Sequence, residues 1–169
     1  MALYLIANGP MPTTAAQAVV TTGTAIKTLL QVKASATNTF KIKEWGISFD
    51  GSAAATPIKC ELLETDVAAT VTASAAADIT KFDAAALSGG DPTTNLLPVG
   101  TTSTGYTATG EGTITAVRMF DVQLIAPTNQ YVKQFPLGLE PVIQVSKFAR
   151  IRVTAGAAVN AYCYMIVEV

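Results

Sequence analysis

The chain contains no histidine in its 169 residues. That absence removes the side chain most used to move protons near neutral pH and to bind transition metals. Only two cysteines are present, Cys60 and Cys163. They lie far apart with no Cys-x-x-Cys spacing, so a structural zinc site has no ligand set. Charged residues make up 14% of the chain and the formal net charge is −1. A chain so close to neutral has no long-range pull on polyanions, and no nucleic-acid partner is expected. No apolar run approaches the ~18–20 residues of a membrane-spanning helix, so no membrane partner is expected. The opening MALYLIANG is apolar but short and lacks the basic start of a signal peptide, and no Asn-x-Ser/Thr acceptor occurs. The expectation is a soluble protein made in a host cytoplasm.

The same shortages bear on catalysis. A serine triad lacks its base, and a thiol nucleophile lacks the histidine that would activate it. Ser48, Ser146 and Lys147 supply the residue types of a Ser-Lys dyad, but no motif sets them apart. Glu61 and Glu64 are close in sequence, yet residues three apart on a strand face opposite sides and do not address one glycosidic bond together. Asp50, Glu61, Glu64 and Asp66 lack the stepped Asp/Asn spacing of a calcium loop and read as turn acids. Gly110-Glu111-Gly112 has neither the lysine nor the helix of a phosphate loop and reads as a hairpin turn. No enzyme activity, cofactor or metal is expected.

What is present is β-structure. Half of the residues are hydrophobic, in short alternating runs rich in Val, Ile and Thr. A strand over 3–8 is stopped by Gly9-Pro10, and Pro10 and Pro12 make the following stretch an extended arm. In 25–33, Ile26, Leu30 and Val32 share one face while Lys27, Gln31 and Lys33 share the other. In 40–49 the apolar phase passes from Phe40 and Ile42 to Trp45, Ile47 and Phe49. That switch near Glu44 predicts a β-bulge or a strand bending between sheets. Ile58, Cys60 and Leu62 alternate in 56–64, and the two cysteines are expected as buried thiols, with a disulfide left open. Strands are also predicted over 113–126, with Ile114, Ala116, Phe120, Val122 and Leu124 in one phase, and over 130–135 and 142–146. Residues 148–154 and 159–169 form a closing pair joined at Ala155-Gly156, with Arg150 and Arg152 facing solvent or a partner. Residues 159–169 are apolar on both faces, which suits a central or covered strand.

Residues 65–100 are an irregular excursion, with a loop or short edge strand over 66–77, a helical turn at 83–87 and a loop at 91–98. Eight or nine strands with several long connections favour Greek-key or jelly-roll wiring over a meander. The expected fold is an all-β, single-domain antiparallel β-sandwich or jelly roll of about eight strands. An N-terminal strand and arm over 1–14 precede the main domain at 15–169.

So few charges admit two readings of the surface: an ordinary Ala- and Thr-rich exterior, or one largely covered by other subunits. Candidate interface residues are Leu3, Tyr4, Leu5 and Ile6, as this domain's own edge strand or as one added to a neighbour, with Pro10, Met11 and Pro12 of the arm. The tyrosine and phenylalanine pairs Tyr131 with Phe135 and Tyr162 with Tyr164 are the candidate anchors.

The closing segment FARIRVTAGAAVNAYCYMIVEV (148–169) resembles the C-terminal hairpin of small β-rich virion proteins of tailed bacteriophages. WGISFDG (45–51) and TPIKCELLE (56–64) are similar to their early strands. The resemblance is strongest over 40–64 and 148–169. It implies a jelly-roll decoration, or cement, protein on the capsid surface of the virion. Its partners would be the major capsid protein of a phage head and copies of itself in a homotrimer, with no catalytic residue to transfer. A carbohydrate- or receptor-binding module of a tail or fibre, and a single jelly-roll shell protein, are the alternative readings.

Overall fold

The computed structural model describes residues 2–82 and 96–169. The helical turn expected at 83–87 lies outside the described residues, as does 91–95 of the expected loop.

The strands in chain order are β1 (Leu3–Ala7), β2 (Val20–Thr21), β3 (Ile26–Lys33), β4 (Phe40–Phe49), β5 (Ile58–Thr65), β6 (Thr70–Ala73) and β7 (Ile79–Lys81). They continue with β8 (Gly105–Gly110), β9 (Val117–Ile125), β10 (Gln130–Gln134), β11 (Val142–Ile143), β12 (Phe148–Thr154) and β13 (Asn160–Glu168). They form two antiparallel sheets. The first has the order β10-β4-β13-β1-β7, with β11 also on β4 and β2 on β13; the second has the order β6-β8-β3-β12-β5-β9. The fold is an all-β sandwich, as the alternation required. Among the described residues, no two strands consecutive in sequence are neighbours in either sheet. Chain continuity is therefore carried by connections that cross between the sheets or, as from β5 to β6 and from β8 to β9, pass over other strands of the same sheet, as in Greek-key and jelly-roll wiring.

This wiring corrects two expectations. Strands β12 and β13 do not form a closing hairpin, because they lie in opposite sheets and Ala155-Gly156 is the crossover between them. Residues 110–112 are not a hairpin turn either, since β8 and β9 stand near opposite edges of the second sheet. A third expectation, of residues 3–6 as this domain's own edge strand or one added to a neighbour, is corrected too: β1 is an interior strand, bonded to β13 on one side and β7 on the other.

The core lies between the sheets and takes largely alternate residues from the long strands. From β13 it takes Ala161, Cys163, Met165 and Val167, and from β1 Tyr4 and Ile6, all at or near zero exposure. Cys60 and Cys163 are buried free thiols. The thiol of Cys60 is pushed up to about 12 by burial first and by the neighbouring Glu61 second, so it is inert as a nucleophile. Trp45 is fully buried and donates its indole N–H to Asp121 at 3.2 Å.

Bulges explain where the alternation holds and where it breaks. The β4–β13 register steps from Ile166↔Glu44 to Val167↔Ile42, which leaves Lys43 as the extra residue. That is the phase switch predicted near Glu44. In β3 the register steps from Leu30↔Ile151 to Thr28↔Arg152, leaving Leu29 extra. Ile26 is thereby turned outward to 52% exposure, away from Leu30 and Val32, and Lys27 points inward to the carbonyl of Thr21. In β9 the extra residue is Phe120. The phase expected for that strand is inverted: Asp121 and Ile125 are buried while Val122 and Leu124 are exposed.

Candidate interaction face

The outer face of the first sheet collects neutral side chains in cross-strand rows. One row runs Val132, Gly46, Tyr164, Ala7. The next runs Gln134, Glu44, Ile166, Leu5, Thr80. A third holds Gln130, Ser48 and Tyr162. Tyr162 and Tyr164 alternate outward on β13, so their rings stand side by side with centroids 6.2 Å apart. Gly46 lies under Tyr164: a Cβ there would fall 2.5 Å from the ring. The absence of a side chain at 46 is what lets the tyrosine lie flat. Its hydroxyl donates to Glu44, whose other oxygen accepts from Gln134 Nε2 at 2.6 Å. Burial and that carboxylate push the Tyr164 phenol up. Glu44 is the one charged group in these three rows. Further charge on this face gathers at its end, where Lys43 pairs with Glu140 at 2.8 Å and Glu168 at 2.9 Å.

An open groove of about 390 Å³ runs beside Tyr162, between this face and the N-terminal arm. Leu5, Met11, Pro12, Val19 and Tyr162 give it an apolar lining. The arm is held there by Asp78, whose carboxylate accepts from the Met11 amide at 2.8 Å. Asn8 pins the end of β1 to β13, donating to the Ala161 carbonyl and accepting from the Cys163 amide, each at 3.0 Å.

The expected interface residues therefore divide. Leu3, Leu5, Tyr162 and Tyr164 share the outer face, and Met11 and Pro12 border its groove. Pro10 is exposed on the arm. Tyr4 and Ile6 are committed to the core. Tyr131 and Phe135 turn inward at the edge of the sandwich. The Tyr131 ring packs on Trp45 at 5.4 Å and its hydroxyl donates to Asp121 at 2.9 Å. Phe135 packs against the core with Lys133 Nζ 5.2 Å from its ring centre. The acids once grouped as possible calcium ligands are spent separately. Glu64 binds Arg118, Glu61 binds Arg152, Asp66 binds Thr115, and Asp50 accepts from Asn160.

The outer face of the second sheet differs. Arg150, expected to face solvent or a partner, is fully buried there. Its guanidinium donates to the Glu111 carboxylate at 3.2 Å, to the Glu111 carbonyl at 3.1 Å and to the Val67 carbonyl. Glu111 also accepts from the amide and hydroxyl of Thr28, each at 2.6 Å. Gln31, expected to point outward, is buried beside it and bridges the Ala69 amide at 2.8 Å to the Ser103 carbonyl at 2.6 Å. Val67, Ala69, Ser103 and Glu111 thus roof this half of the sheet. Sequence reasoning missed the roof because Glu111 looks like a turn residue between two glycines. The signal available was Arg150 itself, set between apolar neighbours in a strand.

No protein-family model matches the chain, and no curated protein or solved structure does. The class defined by the fold is a two-sheet antiparallel β-sandwich with one smooth outer face and one roofed face. Among the described residues no cluster of three or more metal-ligating side chains occurs.

Proposed function

We propose that the protein is a non-catalytic docking component of a viral shell. It is a decoration protein that sits on a phage head and binds the major capsid protein through the outer face of its first sheet. The observation that carries the docking reading is the Tyr162–Tyr164 face, whose three central rows hold a single carboxylate already bonded within the chain. Covering such a face strips little water from charge, so the burial of aromatic area is offset by little desolvation cost. Many identical contacts on a symmetric shell then add by avidity. The phage head as the shell, and the homotrimer as the docking unit, rest on the sequence resemblance over 40–64 and 148–169.

The test compares heads with and without the protein for rupture on heating or osmotic shock. Decorated heads are expected to survive conditions that burst bare ones, and a Tyr162→Ala/Tyr164→Ala variant should fail to decorate. Equal rupture would remove the reading. Shells formed by the chain alone would replace it with the single-sandwich shell protein, and selective binding on a glycan array with the receptor-binding module.

A further inference from the structure

The outer edge of the second sheet offers a different contact from the face just described. Strand β9 is nine residues long and, among the described residues, is the outermost of its sheet and pairs only with β5. The other edge strands are shorter: four residues for β6, three for β7 and five for β10. Natural edges are blunted by lysines, prolines, brevity or a bulge, because an unpaired strand is a template for another chain. β9 has no lysine and no proline; it has the bulge at Phe120, Arg118 before it and the inward-pointing Asp121 after it, and beyond the bulge 121–125 is a regular edge segment. Its cross-strand partners place Val117, Met119, Val122 and Leu124 on the outer face. They are 56%, 61%, 40% and 72% exposed, a stripe of large apolar side chains along an open edge.

We propose that this edge pairs with the same edge of a second copy, antiparallel, about a two-fold axis through Gln123. The sequence fits that partner. Centring the ladder on Gln123 sets Val122 opposite the partner's Leu124 and Leu124 opposite the partner's Val122, both on the outer face. Asp121 then meets the partner's Ile125, and no like charges stand opposed. The flanking rows agree in sign. Val122 adjoins Glu61 and Leu124 adjoins Lys59, so across the axis each glutamate row continues into the partner's lysine row. A two-fold contact is self-complementary in this way by necessity, and the strand meets the requirement without change. Two six-stranded sheets become one continuous sheet. On a shell, the contact would tie neighbouring copies to each other, whichever face holds them to the surface beneath.

Sedimentation of the purified full chain over a range of concentrations tests the contact. Wild type is expected to self-associate reversibly, and Leu124→Lys to weaken that association about tenfold or more, since both symmetry-related Leu124–Val122 pairs are lost. Leu124 is so exposed that the substitution leaves the core intact, which circular dichroism checks. Gln123→Cys tests the register. Two introduced thiols facing each other across the axis fall within disulfide reach, and oxidation should give a covalent dimer, while Ser48→Cys on the opposite face should not. Cys60 is the cross-strand neighbour of position 123 and within disulfide reach of a thiol there, so both cysteine variants are made in a Cys60→Ala background, where the buried Cys163 stays out of the reaction. Wild type sedimenting like Leu124→Lys at every concentration, or Gln123→Cys linking no faster than Ser48→Cys, overturns the proposal. Failure of Tyr162→Ala/Tyr164→Ala to decorate heads while still cross-linking through Gln123→Cys would separate this edge from the docking face.

Discussion

On one outer face of the sandwich Tyr164 lies flat over Gly46 beside Tyr162, in neutral rows whose one charged group is Glu44. On the other, an arginine with no exposed surface is locked under Glu111 and Val67, and a buried glutamine ties down Ala69 and Ser103. The inner faces of the two sheets are alike; the difference lies in what each outer face has to satisfy. A buried guanidinium must find partners or unfold the region around it, so the second sheet keeps its own roof. The tyrosine face has no such debt and loses little when another surface covers it. The first face is free to dock because the second has taken up the polar work inside the fold.

Arg150→Ala breaks that contrast most severely. It leaves the Glu111 carboxylate without its cation and two carbonyls without a donor, and removing one partner of a buried pair costs about 3–5 kcal/mol. Arg152→Ala, one step along the same strand, removes a partly exposed pair with Glu61 at 2.8 Å and should cost about 1 kcal/mol or less. Urea denaturation of the two variants reads the difference directly. Similar losses would show that the roof is ornamental. An Arg150→Met/Glu111→Gln variant, which removes both charges, should recover much of the stability lost by the alanine.

Gly46→Val tests the other face with a smaller effect. The new Cβ meets the Tyr164 ring, which must lift from the sheet and release Glu44. Overpacking of this kind costs about 1–3 kcal/mol. The same variant should bind heads more weakly than its stability loss explains, since the ring no longer lies in the docking plane. Unchanged binding would move the docking surface away from Tyr164.

How much of this was legible follows from what alternation reports. Alternation tells which residues share a side and is silent on what lies over that side. It placed Ala161, Cys163, Met165 and Val167 inward and Tyr162 and Tyr164 outward, and β13 is central as its two apolar faces required. The phase switch in β4 revealed the bulge at Lys43 because both halves of the strand carry large apolar residues. The bulges at Leu29 and Phe120 were hidden because apolar residues happen to continue the wrong phase, in Ile26 and in Val122 with Leu124. The roof over Arg150 joins residues about forty or more positions apart, such as Gln31 with Ala69 and Arg150 with Glu111. No local pattern encodes pairings of that kind. The crossover at Ala155-Gly156 read as a hairpin for the same reason: a short turn signal shows that the chain turns, and not to which sheet it returns.

The mildest way to part the two faces is pH. The roof segment is tied by Asp66, which accepts from the Thr115 hydroxyl, from the Thr115 amide at 3.2 Å and from the Ala116 amide at 3.1 Å. Those bonds, the Thr115 hydroxyl foremost, hold its carboxyl down from 3.8 to about 2. A depressed folded-state value means that the contribution is whole above the ordinary value and is lost as pH falls toward the folded one. The Tyr164 phenol is shifted the opposite way, raised from 10.0 by burial and then by Glu44. Its contribution is whole below the ordinary value and is lost as pH climbs above it. Acid should therefore loosen the roof and alkali the docking face, with both intact near neutrality. Global unfolding in acid blurs this, since Lys43 also holds Glu140 down to about 2 at the end of the first sheet. Local readouts do not. Exchange of the Thr115 and Ala116 amides, corrected for the intrinsic slowing of amide exchange in mild acid, should quicken between about pH 4 and pH 2 in wild type. In Asp66→Asn it should already be fast at neutral pH. The Tyr164 phenolate band should appear only well above the ordinary tyrosine range, and earlier in Glu44→Gln. Acid-insensitive amides at 115 and 116 would mean that Asp66 does not tie the roof.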